Sequence, residues 1–412
     1  MKQIWQHRSP EEIKQRIFSA LEVNVDYAGE SILGVPGSYL DEKVFSQDAT
    51  FLKDAPYLAT LTHNPNHIGC HTLGKSERFF HGTQAIEKEL IEICAVDILH
   101  GQPDEQDGYV ASGGTEANMQ AIWMYRNLFQ KESGAKAEEI CLIASEDAHY
   151  SIDKAANVLG IRIYKVAVTF DTREITRESV EEALSKATGD GKKYFIIVAN
   201  MMTTMFGSVD RPSYYTDALK AKGLDFRLHI DGAYGGFYFP FSGVEHKLNF
   251  QNQDVSSVTL DAHKMVQAPY GTGIFICRKG LIENVHTREA SYVEGEDYTL
   301  IGSRSGANSI AIWMILATYG PFGWEEKIFI LQKRAAWLCE QLEQAGIQFF
   351  RHPGSNIITI KSEYVPSDIA HKYWLVPDRH HETQWQKIVI MEHVTIEKLM
   401  PLVEELKKVE RV

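Results

Sequence analysis

Lys264 closes an apolar run, SSVTLDAHKMVQAP, where a solvated surface charge is out of place. Burial lowers the pKa of an ammonium group and leaves its amine usable as a nucleophile. Three motifs upstream specify what such an amine would work on. The first, Ser112-Gly113-Gly114-Thr115-Glu116-Ala117-Asn118, lies between a strand pattern and a helix pattern. Its backbone N–H groups then fall at a helix N-terminus, where glycines permit close approach and the dipole and hydroxyls favour a phosphate. Alone it is equally a glycine-rich turn with a threonine cap. The second, His149 in EDAHYSIDKAA, follows a strand pattern. Its flat ring suits stacking on a planar cofactor, within reach of a reacting carboxylate; the plain alternative is a capping or core histidine. The third, Asp231 in HIDGAYGG, ends another apolar run. A carboxylate there is costly without a cationic partner. A pyridinium nitrogen is such a partner, and the pair keeps the ring protonated as an electron sink; an ordinary turn aspartate is the alternative. Gly232 and Ala233 are small enough for a ring to lie against the backbone, and His263 offers a phosphate contact beside Lys264. Each motif is ambiguous singly. Together, in this order, they point to pyridoxal 5'-phosphate held on Lys264 as a Schiff base.

These residues need a scaffold that sets strand ends side by side. Short β-branched runs, GYVAS, EICLIAS, RIYKVAV, YFIIVAN, FRLHIDG, SSVTLDA and GIFICRK, alternate with helical patterns such as EANMQAIWMYRNLFQ, SIDKAANVLG and TRESVEEALSKAT. Such alternation predicts a mostly parallel, seven-stranded sheet covered by helices on both faces. A helix begins after Ser9-Pro10 and runs over roughly residues 9–30, and a helical period resumes in QAIEKELIEICAVDIL. Towards the end, a helix near 324–345, strands NIITIK and KIVIMEHVT and a closing helix TIEKLMPLVEELKKV predict a small α+β domain. The fold class is therefore α/β, with an N-terminal segment (1–55), a large domain (56–300) and a small C-terminal domain (301–412).

The bulk numbers agree with that reading. A chain of 412 residues with 44% hydrophobic and 24% charged positions is ordinary for a globular protein, which excludes disordered and collagen-like classes. A formal charge of −13 argues against nucleic acid or an anionic membrane as partner. No apolar run approaches a membrane span, and the start, MKQIWQHRSPEEIKQ, has no signal-peptide core, so the expected compartment is the cytoplasm. Five scattered cysteines, an odd number, read as reduced core thiols.

With these motifs in place, the chain resembles the PLP-dependent group II amino-acid decarboxylases of fold type I over roughly residues 60–320. It is most similar to the branch of histidine, serine and archaeal tyrosine/aspartate decarboxylases. The runs that carry the resemblance are SGGTEAN, ASEDAHYSIDKAA, HIDGAYGGFYFPF, DAHKMVQAPYGTGIF and YTLIGSRSGA. It implies that Lys264 anchors the cofactor, His149 stacks on its ring, and Asp231 pairs with the ring nitrogen beside Ala233. Thr204 would sit near the phenolic oxygen, and Gly114, Thr115 and His263 would hold the phosphate. It further implies a homodimer with shared active sites, the N-terminal segment packing on the partner. A loop, REASYVEGEDYTLIG, would close over the neighbouring site and bring Tyr292 to protonate Cα. Ser303 would reach the neighbour's phosphate, with Arg304 beside it structural.

Two departures stand out. Many relatives carry Ser where this chain has Asp261, and an Asp facing a phosphate would be repelled, so Asp261 should point away or bind another donor. The segment THNPNHIGCHTLG matches the substrate side of relatives only loosely, through His63. Arg351 and His352 are further substrate-side candidates, and the amino acid itself stays open among histidine, aromatic residues, aspartate/glutamate and serine. The expected reaction is decarboxylation of an L-amino acid to its amine and carbon dioxide. The competing readings are a carbon–carbon lyase or a decarboxylating oxidase on the same cofactor. A different class would be a metal-binding protein using His67, His71, His380 and His381, or a non-catalytic relative; Gly69 between the first pair argues against a ligand helix, and an intact lysine set against a mere scaffold.

Overall fold

Strands whose residues are apolar on both sides must be covered on both sides, and most of the seven strands at the centre of this molecule are of that kind. The computed structural model describes residues 3–24, 49–63, 66–68, 78–287 and 296–409. In chain order the strands are β1 (Gln106–Ala111), β2 (Ile140–Ser145), β3 (Arg162–Val166), β4 (Tyr194–Asn200), β5 (Asp225–Gly232), β6 (Val255–Asp261) and β7 (Gly273–Arg278). They lie side by side as β1-β7-β6-β5-β4-β2-β3. Only β7 runs against its neighbours, so β1 to β6 all point the same way.

Alternation along each strand feeds two cores. In β4, Phe195, Ile197 and Ala199 face one cluster, whereas Ile196 and Val198 face the other. Burying each of these isoleucines contributes about 2 kcal/mol. The second core is closed by α4 (Gly114–Ser133) and α5 (Tyr150–Leu159). The first is closed by α1 (Pro10–Val23), α3 (His81–Glu92), α6 (Arg177–Gly189), α7 (Pro212–Ala221) and α8 (Gly306–Gln344). A short helix, α2 (Pro56–Thr62), packs on α1 and α8. Beyond α8, strands β8 (Phe349–Phe350), β9 (Ile357–Lys361), β10 (Val376–Pro377) and β11 (Trp385–Val389) form an antiparallel sheet in the order β8-β9-β11-β10. It carries α9 (Ser367–Lys372) and α10 (Ile396–Lys407). The chain thus has the mostly parallel seven-stranded sheet and smaller C-terminal α+β unit expected of fold type I.

Three element boundaries differ from the sequence reading: the helix expected over roughly 9–30 ends at Val23, where Asn24 turns extended as its C-cap. The helix expected near 324–345 begins at Gly306 and is only interrupted at Gly320, where φ is +61°, ahead of Pro321. There the N-terminal segment supplies what the break removes: Trp5 Nε1–H donates to Leu316 O at 2.7 Å, and Arg8 N–H to Ala317 O at 2.8 Å. A Cβ on residue 320 would lie 2.7 Å from His7 Cβ, so glycine is required by contact as well as by φ. The strand placed at 387–395 starts at Trp385 and stops at Val389 instead, because Asp378 Oδ1 accepts the N–H groups of Gln384 and Trp385 and sets its start. Among the described residues, no helix is long and apolar enough to cross a membrane.

Candidate active site

Because β1, β2, β4, β5 and β6 share a direction, the motifs that follow them meet at one edge of the sheet. Asp231, near the end of β5, is 6% exposed. Its Oδ1 accepts the Ala233 N–H at 3.1 Å and its Oδ2 the Asn118 Nδ2–H at 3.0 Å. His149 caps α5: its Nδ1 accepts the Ser151 N–H at 3.3 Å and lies 2.9 Å from Ser151 Oγ. Burial lowers the pKa of His149; the Asp231 charge opposes this, and the Lys264 and Lys154 charges add to it. These mutual fields place His149, Asp231 and Lys264 in one cluster. Lys264 is half-buried in the turn after β6, and among the described residues no hydrogen bond or ion pair engages its Nζ.

Asp261 explains how the first and fourth motifs are joined. It is 2% exposed, its Oδ2 accepts the Gly114 N–H at 2.9 Å, and its Oδ1 stands 2.7 Å from His263 Nδ1. Its own pKa is raised by burial, against the Lys264 and His263 charges and the Gly114 amide. The carboxylate thus engages another donor, the Gly114 N–H, one of the two alternatives its repulsion from a phosphate allowed. Gly114 is boxed in: a Cβ there would stand 2.9 Å from Ala233 Cβ and 3.1 Å from Asp261 Oδ2. Thr115 follows in the first turn of α4, half-buried. His263 packs its ring 5.0 Å from that of Tyr270.

The other expected residues are more dispersed. Thr204 is exposed, and its carbonyl accepts from Lys387 Nζ at 3.1 Å. Ser303 is exposed, on a short strand paired to Asn66–Ile68. His63 ends α2, its Nδ1 2.8 Å from Ala59 O, and among the described residues no hydrogen bond or ion pair ties it to Lys264. Arg304 is buried in a pair with Glu87 and donates to Val110 O. Arg351 Nε donates to Ser355 O, and His352 is buried beside His246, its pKa pushed down to about 4 by burial. Tyr292, His67, His71 and most of THNPNHIGCHTLG lie outside the described residues or carry no described side chain.

Sequence reasoning missed three participants. Asn118 was quoted within its motif but given no role; one helical turn past Gly114, it faces Asp231. His229 precedes Asp231 by two along β5 and so shares its side of the sheet, a signal available from strand periodicity. Lys387, on β11 of the small domain, brings a second cation towards Lys264; burial first, then the Lys264 charge, lowers its pKa. A lysine inside the run WQKIVI was the visible clue.

An anionic partner for a ring nitrogen, a flat imidazole, a helix N-terminus crowded enough to demand glycine, and an uncommitted amine match the parts of pyridoxal phosphate. Fold and site together define a fold type I pyridoxal-phosphate enzyme. Residues 86–353 match the family described as "Pyridoxal-dependent decarboxylase conserved domain". The chain is 50% identical over 405 residues to a tryptophan decarboxylase of Clostridium sporogenes, covering 98% of this chain and 97% of that one. It is 30% identical over 346 residues to a probable L-tyrosine/L-aspartate decarboxylase of Methanococcus maripaludis, covering 81% and 86%. In fold it is similar to L-methionine decarboxylase from a Streptomyces species, with TM-score 0.71 at 18% identity over 97% of this chain and 94% of that one. The chain belongs to the pyridoxal-dependent decarboxylase family. It is a PLP-dependent enzyme that decarboxylates a small-molecule amino acid.

Proposed function

We propose that the substrate is tryptophan and the product its amine, tryptamine. The observation that carries this is 50% identity along nearly the whole chain to a tryptophan decarboxylase, against 30% to a tyrosine/aspartate relative. In this reading Lys264 holds the cofactor through Nζ, and Asp231 keeps a proton on the ring nitrogen. His149 covers the ring. Thr115 and His263 hold the phosphate at the start of α4, with Gly114 as its floor, while Ala233 and Thr204 flank the ring. The bound cofactor supplies an aldehyde carbon for the substrate amine and a ring that accepts the electrons released with carbon dioxide. Lys387 adds positive charge on the side where an amino-acid carboxylate enters. Tyr292 is the candidate donor of the proton to Cα.

The working form is a homodimer in which Ser303 and Tyr292 serve the partner's site and His63 lies on the substrate side. Tyr270, 88% exposed with its ring tilted 5.0 Å from that of His263, supports a covering partner there. The cytoplasm remains the proposed compartment, supported by four buried, unbridged thiols at Cys94, Cys141, Cys277 and Cys339.

The test is a panel of single amino acids given to the PLP-loaded enzyme, with amine and carbon dioxide both quantified. Tryptophan should give the highest kcat/KM, by at least about tenfold, the discrimination available from one well-filled pocket. A larger kcat/KM for tyrosine, aspartate or histidine overturns the substrate. Lys264→Ala should lose both turnover and the visible absorption of bound cofactor; survival of both overturns the anchor.

A further inference from the structure

Behind Asp231 runs a line of polar side chains that the decarboxylation chemistry does not call for. Tyr125, Ser257 and His229 are 0% exposed and Asn118 is 1% exposed. Tyr125 OH meets Ser257 Oγ; Ser257 Oγ lies 2.7 Å from His229 Nδ1; His229 Nε2 lies 2.9 Å from Asn118 Oδ1. Asn118 Nδ2 then reaches both Asp231 Oδ2 and Ser151 Oγ, each at 3.0 Å. Leaving any of these groups unpaired in the core would be costly, so the line must be satisfied throughout.

Donor and acceptor rules allow one arrangement of protons. An ionised carboxylate only accepts, so the Asn118 amide nitrogen faces Asp231 and the amide oxygen faces His229. That oxygen also only accepts, so His229 carries its proton on Nε2, with Thr259 Oγ1 at 3.2 Å sharing it. Burial drives the His229 pKa down to about 4, so the ring holds a single proton and Nδ1 is an acceptor. Ser257 O–H therefore donates to Nδ1, and Tyr125 O–H donates to Ser257. The other amide hydrogen of Asn118 goes to Ser151 Oγ, whose hydroxyl and backbone N–H are both directed at His149 Nδ1. His149 is left with its proton on Nε2.

We propose that Asn118 and His229 are positioning residues: through this wire they hold Asp231 as an acceptor-only partner for the ring nitrogen and lock His149 in the Nε2–H tautomer, which ties the ring's protonation to the proton held above it. The inference rests on the reading that Asp231 and His149 contact the cofactor. It implies that without the His229 donor, the Asn118 oxygen is orphaned. The amide keeps its bonds to Asp231 and Ser151 but loses the contact that fixes its other end, so Asp231 and Ser151 are held less rigidly.

The test uses full-length holoenzyme carrying His229→Leu, Asn118→Leu or His229→Gln; the glutamine amide can still donate to Asn118 Oδ1. Both leucine variants should change the ratio of the cofactor's absorbing forms. They should also weaken PLP binding about tenfold and lower kcat about tenfold with KM little changed, as expected for loss of a hydrogen bond to a charged group. His229→Gln should recover most of the absorption ratio and affinity. Leucine variants that melt like wild type and keep its spectrum and PLP affinity overturn the proposal. A measurement on the unmutated holoenzyme stands beside these: 15N histidine spectra, with the His149 signal identified by its loss in His149→Gln, should show Nε2 protonated. A proton on Nδ1 overturns the proposal even where the leucine variants fail to fold. Asp231→Asn separates the two levels. If it leaves the cofactor spectrum unchanged, the cofactor reading fails; if it alters the spectrum while the leucine variants do not, only the wire fails.

Discussion

Asp261 shows how one residue can be misjudged by charge and still be explained by it. A carboxylate beside a phosphate site is unfavourable, yet here its Oδ2 accepts the Gly114 N–H and its Oδ1 lies 2.7 Å from His263 Nδ1. It thereby fixes the turn that presents Lys264 against the helix that starts at Gly114. Asp261→Ala leaves the buried Gly114 N–H without its acceptor and His263 without its ion-pair partner, and should cost about 2 kcal/mol in urea unfolding of the apoenzyme, within the range for orphaned buried groups. Asp261→Ser, which keeps an acceptor for the amide, should lose less. Equal stability of Asp261→Ala and wild type would show that the contact is idle. At this scale the motif residues were legible because each combined a costly residue type with an apolar setting: Lys264 and Asp231 on strand ends, Gly114 at a crowded helix start. Asn118 was not, since a buried amide has no signature until its partners are known, and Lys387 left only its place inside the run WQKIVI as a clue.

Elements were most legible where one period dominates. All seven strands of the large sheet overlap strand patterns in the sequence, most of them apolar because both faces are covered, while edge strand β3 leaves Arg162 and Lys165 exposed. The first half of α8 was hidden by Gly320-Pro321, which locally reads as a stop; only the distant Trp5–Arg8 segment makes the interruption tolerable. The segment between β4 and α7 was equally silent in sequence, although it carries Thr204. It is closed by Asp210, whose Oδ2 accepts both the Asn200 N–H and Nδ2–H at 2.8 Å and whose N–H returns to Asn200 O. Burial raises the Asp210 pKa to about 7, against the Asn200 hydrogen bonds and with a further push from Asp147. Between the ordinary carboxylate value near 4 and about 7, the folded state therefore holds a proton that the unfolded chain has released. Its contribution to stability is complete below that window and is lost as pH rises through it. Asp210→Asn removes this one titration, so the wild type should lose stability relative to the variant as pH climbs from about 4 to about 7. Parallel stability–pH curves for the two proteins would refute the assignment.

At the scale of the whole molecule, the cluster at the sheet edge receives groups from well-separated parts of the chain. Lys387 arrives from the small domain's β11, bonded to the Thr204 carbonyl, so the two sheets must keep register for the site to exist. On one side Tyr270 stands exposed beside His263, and the proposed Tyr292 and Ser303 come from a second copy of the chain. A symmetric dimer with sites shared across the interface makes a specific arithmetic claim. A Lys264→Ala protomer paired with a Tyr292→Phe protomer holds one site with both defects and one with neither. Random assortment makes half of all dimers hybrid, so mixing two inactive parents in equal amounts should restore roughly a quarter of wild-type activity. Exchange can be followed by differently tagged protomers, so that recovery is read against the hybrid fraction. Hybrids that form and stay as inactive as their parents would place Lys264 and Tyr292 in the same protomer's site.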